Sequence, residues 1–360
     1  MPGELVLPID TLGQSNLAGV RVSIALATCQ GEKFLQRQLD SITHQTLLPY
    51  ELVIGDDAST DGTVAIIERF AQSAPFPVHL RRHPRRLGFR ENFMQTAQRC
   101  RGDVIAFCDQ DDVWYSDKLA SCVVPFADPE VTLVCHDANV VDALGRRVDK
   151  SIVVRRSGEW SPSQRPLHSQ YGLTMVIRRE LTDHYDLWLQ TIDENTSDRT
   201  QHAAHDPWFY FLAVNLGKVV NIDRPLVDYF QHDSNTIGIP HGFVNRTLQY
   251  RSQYYQLRVQ AVSIRIAILR ELQKRTTTKY QAYIAQQFNI YRRHLRIYEA
   301  RALIYSDEPL AARCVGLFRS IAAGGYTQQG FGLRALLADT VYGIVRFNPG
   351  PRLYAMLQRS

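Results

Sequence analysis

The chain predicts an α/β fold, a mainly parallel sheet with helices on both faces, followed by a helical C-terminal region. Three observations carry that expectation. Short, nearly continuous apolar runs recur before residue 110, as strands covered on both faces require. Segments of helical periodicity separate them, the alternation of a parallel sheet. Carboxylate-rich loops follow the runs at their C-terminal ends, where open α/β sheets bind ligands.

Residues 1–19 hold Glu4 and Asp10, with Pro8 and Gly13 breaking the apolar stretch, and read as a flexible leader rather than a signal peptide. Val22-Ser-Ile-Ala-Leu-Ala-Thr28 is the first strand. A helix follows in which Phe34, Leu35, Gln38, Leu39 and Ile42 keep helical spacing, ending before Pro49. Leu52-Val-Ile54 is the second strand and stops at the polar loop Gly55-Asp-Asp-Ala-Ser-Thr-Asp-Gly-Thr63, from which a helix runs to about Ser73. Val78-His-Leu80 is a short third strand, and Arg81 to Gly88 a basic loop. Phe89, Phe93, Ala97 and Cys100 mark a third helix that Gly102 closes, and Val104-Ile-Ala-Phe-Cys108 is the fourth strand.

The second half is less regular. A helix is expected from Ser116 to about Phe126, then a strand Val131–His136 and a turn at Ala143-Leu-Gly145. Residues 151–170, rich in Arg, Ser and Pro, read as a loop over the open edge of the sheet, and Tyr171–Ile177 as a strand. Pro207 opens the aromatic helix Trp208–Val214, with Asp206 at its N-cap by position. Two long helices span Phe243 to Ile304, separated near Lys274–Lys279, each with an apolar stripe that must meet another surface. The expected division is a leader at 1–19, a catalytic α/β domain at 20–242 and a basic helical region at 243–360.

At 360 residues and 45% hydrophobic content the chain suits one large domain plus an accessory piece. Its six cysteines show no C-x-x-C pairing and sit largely in apolar runs, which points to reduced thiols and a cytoplasmic setting. The net charge of +5 is uneven: residues 244–360 hold 18 Lys and Arg against 5 Asp and Glu. Such a region suits anionic lipid, a phosphorylated acceptor, nucleic acid, or nothing beyond a solvated helix face. Nucleic acid fits least, because the conspicuous aromatics Trp208, Phe209 and Tyr210 sit in the acidic half. No run of eighteen or more uncharged apolar residues exists, so no transmembrane helix is expected.

The fourth strand leads into Asp109-Gln-Asp-Asp-Val-Trp114, the chain's main cluster of carboxylates at a ligand-binding edge. Hard oxygen donors of this kind suit Mg²⁺ or Mn²⁺ carrying a phosphate group, or else a helix start capped by Asp112 or Ser116. Asp56-Asp57 suits hydrogen bonds to a base or ribose, or an Asx-type turn with Asp61 capping the next helix. Arg81, Arg82, Arg85, Arg86 and Arg90 suit a diphosphate, or plain solvated surface. Neither G-x-x-x-x-G-K-[ST] nor a G-x-G-x-x-G after the first strand is present, which removes the commonest ATPase and dinucleotide readings.

Taken together, Thr28-Cys-Gln-Gly-Glu-Lys-Phe-Leu35, Asp56-Asp-Ala-Ser-Thr-Asp-Gly-Thr63, Phe107-Cys-Asp-Gln-Asp-Asp-Val-Trp114 with Asp117-Lys-Leu119, and His205-Asp206 resemble the family 2 glycosyltransferases of GT-A fold. The resemblance covers about residues 20–240. The Asp-Gln-Asp-Asp-Val-Trp form is most similar to bacterial rhamnosyltransferases of surface-polysaccharide (O-antigen or capsule) synthesis. It implies a nucleotide pocket lined by Ala27, Thr28, Cys29, Gln30 and Glu32, with Asp57 holding the base. Arg86 and Arg90 would face the diphosphate, and Asp109 and Gln110 the donor. Asp111, with Asp109 and His232, would hold the divalent metal, and Asp206 would be the general base. Two departures bear on which nucleotide is used: Cys29 replaces a common aromatic, and Arg86-Leu-Gly88 a more usual Asn-x-Gly.

The implied activity is inverting, metal-dependent transfer of a sugar, rhamnose from dTDP-rhamnose, to a glycan or lipid-linked acceptor. It would take place peripherally at an anionic membrane surface, the inner face of the cytoplasmic membrane, without nucleic acid. The alternative is a non-catalytic sugar-nucleotide-binding component of a polysaccharide assembly complex.

Overall fold

The computed structural model describes residues 19–152, 170–193, 196, 198, 200–232, 248–276, 278–327 and 331–346. The expected leader up to residue 18, most of the 151–170 loop and the residues just after His232 lie outside them. The chain forms two compact units, the first of Met1–Ser161, Leu167–Gln190 and Thr200–Ile239, the second of Pro162–Pro166, Thr191–Arg199 and Pro240–Ser360.

Among the described residues the first unit is built on a nine-stranded sheet. β1 (Val22–Thr28), β2 (Glu51–Asp56), β3 (Val78–Arg82) and β4 (Val104–Cys108) are parallel, in the order β3-β2-β1-β4. Every residue of β2 and β4 is buried, which is why both read as unbroken apolar runs. The helices α1 (Leu35–Thr43), α2 (Thr63–Ser73) and α3 (Phe89–Arg99) connect them. Strand order reverses between β1 and β4, so the loops after Thr28 and Cys108 meet at the switch point.

Beyond β4 the sheet is mixed, and the mainly parallel expectation holds only for its first half. β8 (Met175–Arg178) runs antiparallel to β4 and to β6 (Val131–Val141), β9 (Lys218–Phe230) runs parallel to β6, and β5 (Val113–Trp114) closes the far edge antiparallel to β9. Among the described residues β7 (Arg147–Ile152) pairs with β6 alone. β4 and β5 are adjacent in sequence but have three strands between them. A flat sheet would set them roughly 19 Å apart. The five Cα steps from Cys108 to Val113 span at most about 18 Å. The sheet therefore curls, and Asp109–Asp112 bridges its concave side.

Several sequence expectations are corrected. The helix expected from Ser116 is α4 (Lys118–Val123), continued by a 3₁₀ turn Val124–Ala127, and its N-cap is Asp117, so neither Asp112 nor Ser116 caps it. Asp112 is fully buried, and its Oδ1 accepts a hydrogen bond from the Phe230 amide. Tyr171–Ile177 is a strand only from Met175, after a 3₁₀ turn at Gly172–Thr174. A short helix α5 (Tyr185–Trp188) follows. α6 (His205–Leu216) has Ala204 at its N-cap, which places Asp206 inside the first turn rather than at the cap.

The second unit consists of α7 (Leu248–Arg275), α8 (Thr278–Ile304), α9 (Leu310–Ala322), α10 (Gly332–Ala338) and a π turn Asp339–Ile344. α7 and α8 pack along each other, burying Val262, Ile266, Leu269, Ile284 and Tyr291. Asp339 lies inside, where it accepts hydrogen bonds from Arg301, Tyr305 and Tyr326, each at 2.7 Å.

Candidate active site

Three loops interlock at the C-terminal ends of β1, β2 and β4. Asp56 is fully buried and takes the turn role: it accepts from Thr28 Oγ1 at 3.0 Å, Ser59 Oγ at 2.6 Å and the Ser59 amide at 3.0 Å. Asp57 is also buried but turns to the basic loop, accepting from the amides of Leu87 at 2.6 Å and Gly88 at 2.9 Å. Gly88, at φ 87°, has a backbone that L residues rarely adopt.

Gln30 and Glu32, expected in the nucleotide pocket, make loop-to-loop contacts. The Gln30 carboxamide oxygen accepts from the Thr60 amide at 2.6 Å, and the Glu32 carboxylate from the Gly62 amide at 3.1 Å. Ala27 is half-buried and sits opposite Gly55 in the sheet.

Gln110 and Cys29 bind each other as neighbouring strands do: the Cys29 amide donates to Gln110 Oε1 at 2.8 Å, and Gln110 Nε2 donates to the Cys29 carbonyl at 3.1 Å. A side chain at Gly31 would collide with that carboxamide, which explains the glycine. The pair locks the carboxylate turn to the end of β1. The exposed Arg86 lies beside the Cys29 thiol and partly offsets the rise that burial imposes on it. Arg90 stacks on Phe89 at 4.5 Å, in the first turn of α3.

Asp111 and His232, 121 residues apart, meet with Oδ2 3.0 Å from Nε2. His232 is held by a parallel stack on Phe34, the ring centroids 4.2 Å apart. Arg37 binds the Asp111 carbonyl at 3.0 Å, its guanidinium 3.4 Å from the centre of the Phe230 ring. The Asp109 carboxylate lies in the interior although part of the residue is exposed. Burial, then Asp111 and then Asp206 push it up to about 7, so Asp206 lies within electrostatic reach of it. Burial raises Asp111 as well, with His232 and Arg37 opposing. It raises Asp112 far more, helped by Asp111 and Asp109.

Lys118 was legible in its motif but carried no expected role. It is fully buried, donates to the Leu173 carbonyl at 2.8 Å and sits 3.8 Å over the Trp114 ring. Burial lowers it to about 8, with Cys122, Cys108, Asp112 and Asp109 opposing, which makes it an internal counter-charge to the carboxylates. His205 stacks on Phe93 at 4.0 Å, and burial lowers it to about 3, so it is a neutral wall beside Asp206.

The cluster is short of positive charge. Asp112 Oδ2 is buried without a hydrogen-bond partner among the described residues, and all three carboxylates are raised. Among the described residues no three His, Cys, Asp or Glu side chains converge as a metal cage. The donor chemistry fits an ion that the chain holds only in part, because Mg²⁺ and Mn²⁺ accept carboxylate and imidazole donors and Mg²⁺ fills its remaining positions with water and substrate phosphate.

A curled mixed sheet with a carboxylate turn at its switch point is the GT-A arrangement of sugar-transferring enzymes. Residues 23–186, just under half of the chain, match the model of Glycosyl transferase family 2, and the protein is a glycosyltransferase. The dTDP-rhamnosyl transferase RfbG of Shigella flexneri is 28% identical over 254 residues, 67% of this chain and 84% of that protein. The abequosyltransferase RfbV of Salmonella typhimurium is 33% identical over 101 residues, 28% of this chain and 30% of that protein. In fold the chain is similar to S. aureus TarS 1-349 in complex with UDP, with a TM-score of 0.50 at 14% identity, over 86% of this chain and 92% of that one.

Proposed function

We propose that this glycosyltransferase is inverting and metal-dependent, and moves rhamnose from dTDP-rhamnose to a glycan or lipid-linked acceptor in cell-surface polysaccharide synthesis. The observation that carries the reading is the approach of Asp206, in the first turn of α6, to Asp109 at the end of β4. In this reading the two carboxylates, far apart in sequence, serve one basin at the sheet's ligand edge. The rhamnosyl choice is supported by the relative that covers most of the chain.

In this reading Asp57, already held by two amides, keeps lone pairs for an imino N–H of the base. The Cys29–Gln110 pair fixes the floor on which the ribose lies, and Arg86 faces the diphosphate. Asp111, His232 and Asp109 would hold a divalent cation, which would supply charge against the departing diphosphate. Asp206 takes the proton of the acceptor hydroxyl as it attacks the anomeric carbon opposite the leaving group. A single displacement of this geometry inverts the anomeric centre. Acceptors on lipid carriers place the enzyme at the inner face of the cytoplasmic membrane. Among the described residues no helix is long and apolar enough to cross one.

A thermal-shift screen over nucleoside-diphosphate sugars, with and without Mn²⁺, tests the assignment. A true donor at about a hundred times its Kd adds roughly 2.7 kcal/mol. The expected result is the largest shift with dTDP-rhamnose in the presence of metal. Equal shifts with and without metal, or none with any sugar nucleotide, would overturn it.

A further inference from the structure

The second unit carries an apolar helix face that the described residues leave uncovered. α9 packs inward through Arg313, Gly316 and Ser320, all buried, and a Cβ at Gly316 would meet the carbonyl oxygen of Ala300 in α8. With 3.6 residues per turn, the opposite side of α9 presents Ala311, Val315, Phe318 and Ala322, with Ile321 beside them. Val315, Phe318 and Ile321 are 44%, 70% and 47% exposed. The inward face is small and polar and the outward face apolar, the reverse of an ordinary surface helix, and an exposed apolar face of this kind marks a surface that meets another phase or partner. α10 repeats the pattern, with Leu333 and Leu337 75% and 67% exposed.

Charge indicates what covers this face. From Pro309 to Ala338 the chain has three arginines and no Asp or Glu. At the C-terminal end of α9, Arg319 lines a cleft of about 650 Å³ with Arg293 and Arg296 of α8, where Glu299 contributes one negative charge. Arg293 is held by the carbonyls of Ala323 and Gly324. The guanidinium groups of Arg296 and Arg319 are exposed and make no hydrogen bond or ion pair among the described residues. A second copy of the chain laid on this face would bring like charges together around a two-fold axis. An anionic lipid surface offers acyl chains to the apolar side chains and phosphates to the arginines.

We propose that α9 and α10 form a docking surface for an anionic phospholipid bilayer. Val315, Phe318, Ile321, Leu333 and Leu337 enter the acyl boundary, and Arg296 and Arg319 take lipid phosphates. The proposal gives the membrane placement above a specific surface. Its test contains no sugar nucleotide, so a failure of the donor assignment leaves it untouched.

The test is flotation of the full chain with vesicles of phosphatidylcholine alone or mixed with phosphatidylglycerol. The variants are Phe318→Glu and the double substitution Arg296→Gln/Arg319→Gln, all at exposed positions, with circular dichroism and melting curves checking the fold. Wild type should float with the anionic vesicles only. Phe318→Glu should partition roughly tenfold more weakly or worse, and the double variant about fivefold more weakly per charge removed, a difference that high salt erases. Binding unchanged in both variants, or no binding to anionic vesicles, overturns the proposal. So does a concentration-dependent dimer that Phe318→Glu dissociates, which would give the face to a second copy.

Discussion

Replacing Asp111 by Asn removes one negative charge from the carboxylate cluster while keeping its shape, and the two consequences have opposite sign. In the metal-free protein Asp111 pushes Asp109 and Asp112 upward. The Asn oxygen can keep the contact with His232 at 3.0 Å. One pKa unit of relief corresponds to about 1.4 kcal/mol, part of which is offset by the weaker bond to His232. A net gain of about 1 kcal/mol raises the melting midpoint by about 2–4 °C in a unit of this size. With metal and nucleoside diphosphate the effect reverses. Loss of a group that merely supports a metal ligand costs about 10–100-fold in affinity, and loss of a ligand costs at least as much. At a ligand concentration of about a hundred times the wild-type Kd, the stabilisation then falls from about 2.7 to about 0.4 kcal/mol. Melting curves with chelator, and with Mn²⁺ plus nucleoside diphosphate, read both halves. A variant that melts lower than wild type in chelator, or that keeps the full metal-dependent shift, refutes the charge-deficit reasoning.

Gln110→Ala deletes both hydrogen bonds to Cys29 and leaves a partly buried amide and carbonyl unsatisfied. The expected cost is about 1–3 kcal/mol of stability, with weaker donor binding by calorimetry; unchanged donor affinity would show that this tie does not shape the pocket. The metal-free protein should also show a characteristic pH profile. Asp109, raised to about 7, holds its proton more tightly folded than unfolded, so its contribution is full below about pH 4 and is lost as pH rises through about 7. Lys118, lowered to about 8, binds its proton less tightly folded, so stability is recovered as pH rises from about 8 past 10. Melting midpoints in chelator should fall across the acidic window, and Asp109→Asn should flatten that fall; an undiminished slope in the variant would contradict the assignment.

The first half of the fold was legible because each parallel strand is covered on both faces and so reads as an apolar run. β1 and β4 fall where their sequences place them. β9 was hidden by Pro225 and by its charged residues, since a proline argues against a central strand. The structure absorbs it at an irregularity, where the register with β6 shifts between His136 and Asp137. β5 is two residues long and β7 a polar strand paired on one side, so neither carries a periodic signal. In the site, motif spacing located the loops but did not apportion their work. Asp56 and Asp57 look alike in sequence, yet one closes a turn and the other anchors the Arg86–Gly88 loop. The meeting of Asp111 with His232 depends on how β9 returns across the sheet, which no local pattern encodes. Lys118 stood in the motif without a role, and only its burial makes it part of the electrostatics.

The most direct test of the central claim is Asp206→Asn, measured by transfer from a labelled donor alongside donor binding by calorimetry. If Asp206 takes the acceptor's proton, the turnover rate falls by about two to four orders of magnitude while donor affinity stays within about twofold. Transfer retained within about tenfold of wild type would contradict the claim, as would a loss of donor binding equal to the loss of turnover.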